Sequence, residues 1–209
     1  MTRPSFKMIV GVVLALLAAA APFYLSGYNL SLTGRFLALS LTAMGLVLIW
    51  GEGGVLSLGQ GVFFGLGGYV LAMHLKLMAL DPGEAMPDFM VWTNVKALPW
   101  FWAMLKNPLV ALLGIVVVPG IVAAAFGWLV FRRRIGGVYF ALITQALALA
   151  FATLLISQQG FTGGFNGLTN YKTLLGFTLN DAGVIRGLYW VTLAIVILAF
   201  IGSTMLMRS

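Results

Sequence analysis

Six apolar runs, at residues 8–25, 36–50, 62–80, 109–131, 138–156 and 188–207, set the terms for everything else in this chain. Each approaches or reaches the roughly 20 residues that an α-helix needs to cross the hydrocarbon of a bilayer. A water-soluble core cannot absorb so many: of 209 residues, 61% are hydrophobic and only 8% charged, where an ordinary soluble domain carries about 25% charged residues. In lipid every backbone N–H and C=O must be satisfied within the segment, and a helix does that without partners. The expectation is an all-α, polytopic integral membrane protein with about six transmembrane helices, forming one transmembrane domain over residues 1–209 and embedded in membrane lipid. Residues 8–25 also carry the alanines at 18–21 that a signal peptidase would use, but Pro22 interrupts the cleavage region. A retained first helix is therefore expected.

The basic residues lie between the apolar runs, which points to membrane topology and away from nucleic acid, whose binders gather such charge on one face. With the N-terminus inside, six spans put Arg3, Lys7, the triplet Arg132, Arg133 and Arg134, and Arg208 in the cytoplasm. The other face receives Arg35, Lys76, Lys96, Lys106, Lys172 and Arg186, the last four in long loops where the rule weakens. The triplet in a very short loop is the strongest vote, so both termini are expected to be cytoplasmic. Residues 26–35 read as a short polar link. Residues 81–107, with Trp92, Trp100 and Trp102, read as a loop against the membrane interface, and residues 157–187 as a second polar interval.

One stretch resists this simple alternation. Seven of the eighteen residues in 52–69, EGGVLSLGQGVFFGLGGY, are glycine, yet apolar runs flank it. Glycine weakens a helix by about 1 kcal/mol relative to alanine. One reading makes residues 51–61 a helix break whose bared backbone must line protein or water, as at transporter substrate sites, with Ser57 and Gln60 offering hydrogen bonds to a small polar solute. The other is packing: Gly61 and Gly65 form a GxxxG pair, Ser57 lies one turn back, Gly68 follows, and such small residues let two helices approach closely.

Two further polar sets stand out. Thr144 and Gln145 lie in the middle of the fifth run, and a neutral amide there is either an interhelical hydrogen bond or a pore-lining group. Gln158, Gln159, Thr162, Gly163, Gly164, Asn166, Thr169 and Asn170 crowd the second polar interval. Its glycines read first as turn formers, although an outer mouth receiving solute would have the same composition. His74, the single histidine, reads as a polar residue near a helix end.

No cysteine is present, and the phosphate-loop, HExxH and GxSxG signatures are missing, so no enzyme, metal site or cofactor is expected. The spans carry almost no charge, which disfavours coupling to an ion gradient. On residues alone, a transport subunit energised by a partner, a passive channel and a structural scaffold all stay open.

Three motifs narrow the choice. GGVLSLGQGVFFGLGGY at 53–69, RIGGVYFALITQALALAF at 134–151 and QQGFTGGFNGLTN at 158–170 resemble the permease subunits of ATP-binding-cassette importers for branched-chain amino acids, and most of all the branch importing urea. Gln60 stands where amino-acid members tend to have histidine, and GFNGLTN at 164–170 is the urea-like form. The resemblance implies a multi-pass subunit of the bacterial inner membrane. Its expected partners are a second permease subunit, two cytoplasmic ATPase subunits and a periplasmic solute-binding protein. A substrate pathway along Ser57, Gln60, Thr144, Gln145, Gln158, Gln159, Thr162, Asn166 and Asn170 follows, with helix packing at Gly61, Gly65 and Gly68. Members of that family continue past residue 209 through an ATPase-docking loop and further spans, so the chain is expected to be the N-terminal part of a longer domain.

Overall fold

The computed structural model describes residues 6–133, 135–174 and 176–207. Arg3, Arg134 and Arg208, which contribute to the topology count, lie outside them. The long helices are α1 (Phe6–Tyr24), α2 (Gly27–Gly53), α3 (Gln60–Met78), α6 (Pro108–Arg132), α7 (Gly137–Ser157) and α9 (Ala182–Leu206). Short helices α4 (Asp88–Trp92), α5 (Trp100–Ala103) and α8 (Gln159–Thr162), two 3-10 turns and a hairpin of two-residue strands, β1 (Thr173–Leu174) and β2 (Phe177–Thr178), fill the intervals. Among the described residues, five helices are long and apolar enough to cross a membrane, namely α2, α3, α6, α7 and α9, and the described apolar part of α1, Leu14–Tyr24, is shorter. The fold is that of an all-α polytopic membrane protein.

Several boundaries differ from the sequence reading. The polar link at 26–35 is helical almost throughout, because α2 starts at Gly27. Hydropathy misplaces the start because a helix bonds its own backbone whatever its side chains, and Thr33 returns its hydroxyl to the carbonyl of Asn29 at 2.8 Å. Helix α9 begins six residues before the expected 188, where Asp181 caps it by accepting hydrogen bonds from the N–H groups of Gly183 and Val184 at 2.9 and 3.2 Å. Asn107 caps α6 in the same way, accepting from Leu109 N–H at 2.9 Å with Pro108 in the first turn. The break expected over 51–61 is tighter: only 54–59 leave the helical state, with Gly54 at φ +62°.

The chain divides into two compact units, residues 1–48 with 180–209 and residues 49–179. In the first, Leu30 of α2 and Tyr189 and Leu193 of α9 are buried among Ala18, Ala19 and Ala21 of α1. The hydroxyl of Tyr189 donates to the carbonyl of Ala18 at 2.7 Å.

The second unit is organised around α3. In its apolar stretch 44% of residues are buried, against 0–11% in α2, α6, α7 and α9. Val70, Met73 and Leu77 of α3 share a core with Met90, Leu105 and Ala111. The contact of α3 with α6 depends on Gly67 and Gly114. A methyl group at Gly67 would meet the carbonyl oxygen of Ile115 at 2.9 Å, and one at Gly114 would meet Val70 Cγ1 at 3.0 Å. The glycines at this contact are not those of the GxxxG pair. Gly61 and Gly68 have nothing within 4 Å of an added Cβ, and Gly65 has only ordinary contact with Phe151 at 3.9 Å. His74, near the end of α3, is buried, and its Nδ1 donates to the carbonyl of Leu105 at 2.6 Å.

Candidate functional site

The polar residues singled out in the sequence fall at two places in the second unit. The first is the break between α2 and α3, which is seated on α7. Thr144, 1% exposed, accepts a hydrogen bond from the N–H of Leu58 at 3.0 Å while donating its hydroxyl to the carbonyl of Ala141 at 3.0 Å. Gly59 lies flat against it, so that a Cβ there would approach the carbonyl oxygen of Thr144 to 2.8 Å. Ser57 is buried beside this contact, and Gln60, the first residue of α3, is half-buried. Gln145 is exposed on α7, so these neighbours in sequence part company: Thr144 holds the break in place, and Gln145 takes no part in that contact.

The second place is a cleft at the other end of α3. Sixteen residues of helix separate Gln60 from Lys76, a distance of about 24 Å at the α-helical rise. The cleft has a volume of about 110 Å³ and is lined by Lys76, Asp88, Phe89, Trp92, Thr93, Gln159, Gly163, Asn166, Gly167, Thr169 and Asn170. It joins a neighbouring cleft of about 200 Å³ that shares Lys76, Asp88 and Asn170. Of the expected pathway, Gln159, Asn166 and Asn170 line it. Thr162 is committed to its own turn: its hydroxyl lies 2.5 Å from the carbonyl of Leu155 and 2.8 Å from that of Gln158, and it accepts the N–H of Gly164 at 3.3 Å. Gln158 is exposed and caps α8 with its backbone. Gly163, Gly164 and Gly167 take φ of +80°, +61° and +64°. A Cβ on Gly163 would run into the carbonyl oxygen of Gly167, so glycine is what lets this wall fold back on itself.

Neither charged residue of the cleft was singled out as a site residue from sequence. Lys76 is 7% exposed in the last turn of α3, and its Nζ lies 3.0 Å from Asp88 Oδ1. Asp88 opens α4 after the buried Pro87 and also accepts a hydrogen bond from the N–H of Phe89 at 2.8 Å. Burial alone would raise the Asp88 carboxyl, but the hydrogen bonds from Lys76 and Phe89 and the Lys76 charge outweigh it and hold the group below the ordinary carboxylate range. A second pair, Lys172 with Asp81 at 2.8 Å, lines the neighbouring cleft and is largely exposed. The Asp81 hydrogen bond holds the Lys172 ammonium above its usual range. The sequence signal was a lone lysine ending an apolar span, followed by Asp81, Glu84 and Asp88 in the next loop.

Chemically, the cleft offers one cation, one anion, several amides and two aromatic faces. That set can bind a small polar or doubly charged solute and contains no nucleophile activated by a base.

Residues 28–209 match the family model described as "Branched-chain amino acid transport system / permease component". The high-affinity branched-chain amino acid transport system permease protein LivM of Escherichia coli (strain K12) is 28% identical over 171 residues, which cover 79% of this chain and 33% of that protein. The chain thus spans about a third of the length of the curated relative it matches. No solved structure matches it. With the match running from residue 28 to residue 209, the chain belongs to the permease-component family of branched-chain amino acid transport systems.

Proposed function

We propose that this chain forms part of a permease subunit of an ATP-driven importer for branched-chain amino acids in a bacterial inner membrane. The observation that carries the reading is the family match over residues 28–209. It agrees with a chain rich in membrane-length helices. In this reading both termini are cytoplasmic. A second permease subunit completes the pathway, two cytoplasmic ATPases supply the energy, and a periplasmic binding protein delivers the solute to the end of α3 that carries Lys76. The residues of the break and the cleft, with Gln145, line the route, and alternating access moves the solute along it.

The preference for urea, read from Gln60 and residues 164–170, is not supported. The family description and the matched relative both name branched-chain amino acids. Gln60 is held at the foot of α3 beside a backbone contact, a position compatible with either solute.

The test is uptake of labelled leucine in transport-deficient cells expressing the chain with the other subunits of its importer. Accumulation that isoleucine and valine compete for, and that stops on ATP depletion, is expected. Uptake of urea without leucine would overturn the substrate, and flux that survives ATP depletion would make the protein a passive channel. Gln60→Leu and Gln145→Leu are each expected to slow leucine uptake, and unchanged rates in both would remove them from the route.

A further inference from the structure

We propose that the cleft between α3, α4 and the 159–170 segment is a binding station for the zwitterionic main chain of an α-amino acid, in which the Lys76–Asp88 ion pair opens to take the solute's two charges. The inference rests on the amino-acid reading above and assigns to it a place and a recognition chemistry.

The starting point is the pair itself. Lys76 is nearly buried, with its side chain 8% exposed, while the Asp88 side chain is 37% exposed on the cleft surface. A charge removed from water stays stable only while it is paired, so Lys76 needs an anion beside it at all times. A zwitterion can supply one: its carboxylate takes Lys76 as its ammonium takes Asp88. Each charge on the protein exchanges one partner for another, and none is left alone. A neutral solute such as urea cannot make that exchange, nor can one carrying a single charge. Sites built around charged or hydrogen-bonded groups reject analogues that lack the matching group far more strongly than apolar pockets reject a missing methylene.

The rest of the lining fits the remainder of such a solute. Phe89 and Trp92 give apolar surface for an aliphatic side chain. Gln159 and Asn166 bring amides that can donate to the carboxylate and accept from the ammonium. The neighbouring cleft, sharing Lys76, Asp88 and Asn170, gives the displaced groups room to move.

The experiment is equilibrium binding of labelled leucine to the purified chain in lipid nanodiscs, without a binding protein, taken to millimolar concentration. Saturable binding is expected, displaced by isoleucine and not by urea, by leucinamide, which lacks the carboxylate, or by 4-methylpentanoate, which lacks the ammonium. Asp88→Asn is expected to weaken binding at least tenfold. Because that change leaves Lys76 unpaired and threatens the fold, Asn166→Ala, an exposed position outside the pair, is expected to weaken binding severalfold while thermal unfolding stays that of the parent. Displacement by leucinamide or 4-methylpentanoate as effective as that by isoleucine overturns the proposal, as does parental affinity in both variants. Absence of leucine binding to the chain, with leucine uptake by the assembled importer intact, removes the station and leaves the family reading standing. Absence of uptake by the importer strikes the reading itself.

Discussion

Thr144 shows how one side chain can fix a stretch of backbone that has no helix to satisfy it. Its hydroxyl donates to Ala141 and accepts from Leu58 N–H, both at 3.0 Å, in a position that is 1% exposed. Thr144→Val keeps the volume but removes the partner of the Leu58 N–H, a part-buried hydrogen bond whose loss costs about 1 kcal/mol. Thr144→Ser keeps both bonds and loses only a methyl group. Thermal unfolding in detergent is expected to fall clearly for valine and only slightly for serine, and equal loss in both would mean that packing, not hydrogen bonding, holds the break. The glycines of α3 give a second contrast. Gly67→Ala forces a methyl group to 2.9 Å from the Ile115 carbonyl oxygen, whereas Gly61→Ala meets nothing within 4 Å. Overpacking of that kind costs about 1–3 kcal/mol, while alanine at an open helical site gains up to about 1 kcal/mol in propensity. Gly67→Ala is therefore expected to lower the unfolding temperature of the chain and Gly61→Ala to leave it level or raise it.

At the level of elements, the ion pair ties the last turn of α3 to the first residue of α4, and its pH dependence has a definite sign. The Asp88 carboxyl is held below its unfolded value. Its contribution is therefore fully present above the unfolded carboxylate pKa, about 3.9, and is lost as pH falls through the lower folded value. Unfolding of the parent is expected to become easier as pH falls below about 4, and Asp88→Asn to lessen that dependence; an unchanged profile would show that other carboxylates govern it. How much of this was legible varies by element. Helices α6 and α7 could be read closely because charge or polarity ends each apolar run where the helix ends. The start of α2 could not, since Ser31, Thr33 and Arg35 look like a link although the helix passes through them. The break was visible in its glycines, but its anchor was not, because Thr144 meets Leu58 across 86 positions of sequence. The cleft was half legible: its amides formed a recognisable cluster, while Lys76 and Asp88 meet only because the chain turns back between α3 and α4.

Across the molecule as a whole, α2, α6, α7 and α9 each carry exposed large apolar side chains among the described residues, Leu39, Leu112, Val116, Leu142 and Leu198 among them. A bilayer's hydrocarbon is the surrounding that such a surface suits. The proposed orientation then places the loop between α3 and α6 outside the cell and the loop between α6 and α7 inside. The chain has no cysteine, so a single introduced thiol reports without background. Lys96 and Arg133 are both exposed and lie in those two loops. In intact spheroplasts, Lys96→Cys is expected to react with a membrane-impermeant maleimide, and Arg133→Cys only after permeabilisation. The reverse pattern would invert the topology and move the Lys76 cleft to the cytoplasmic side, where a delivered solute would leave the protein instead of entering it. Labelling of both from outside would show that α6, the membrane-length helix between them, does not cross the membrane.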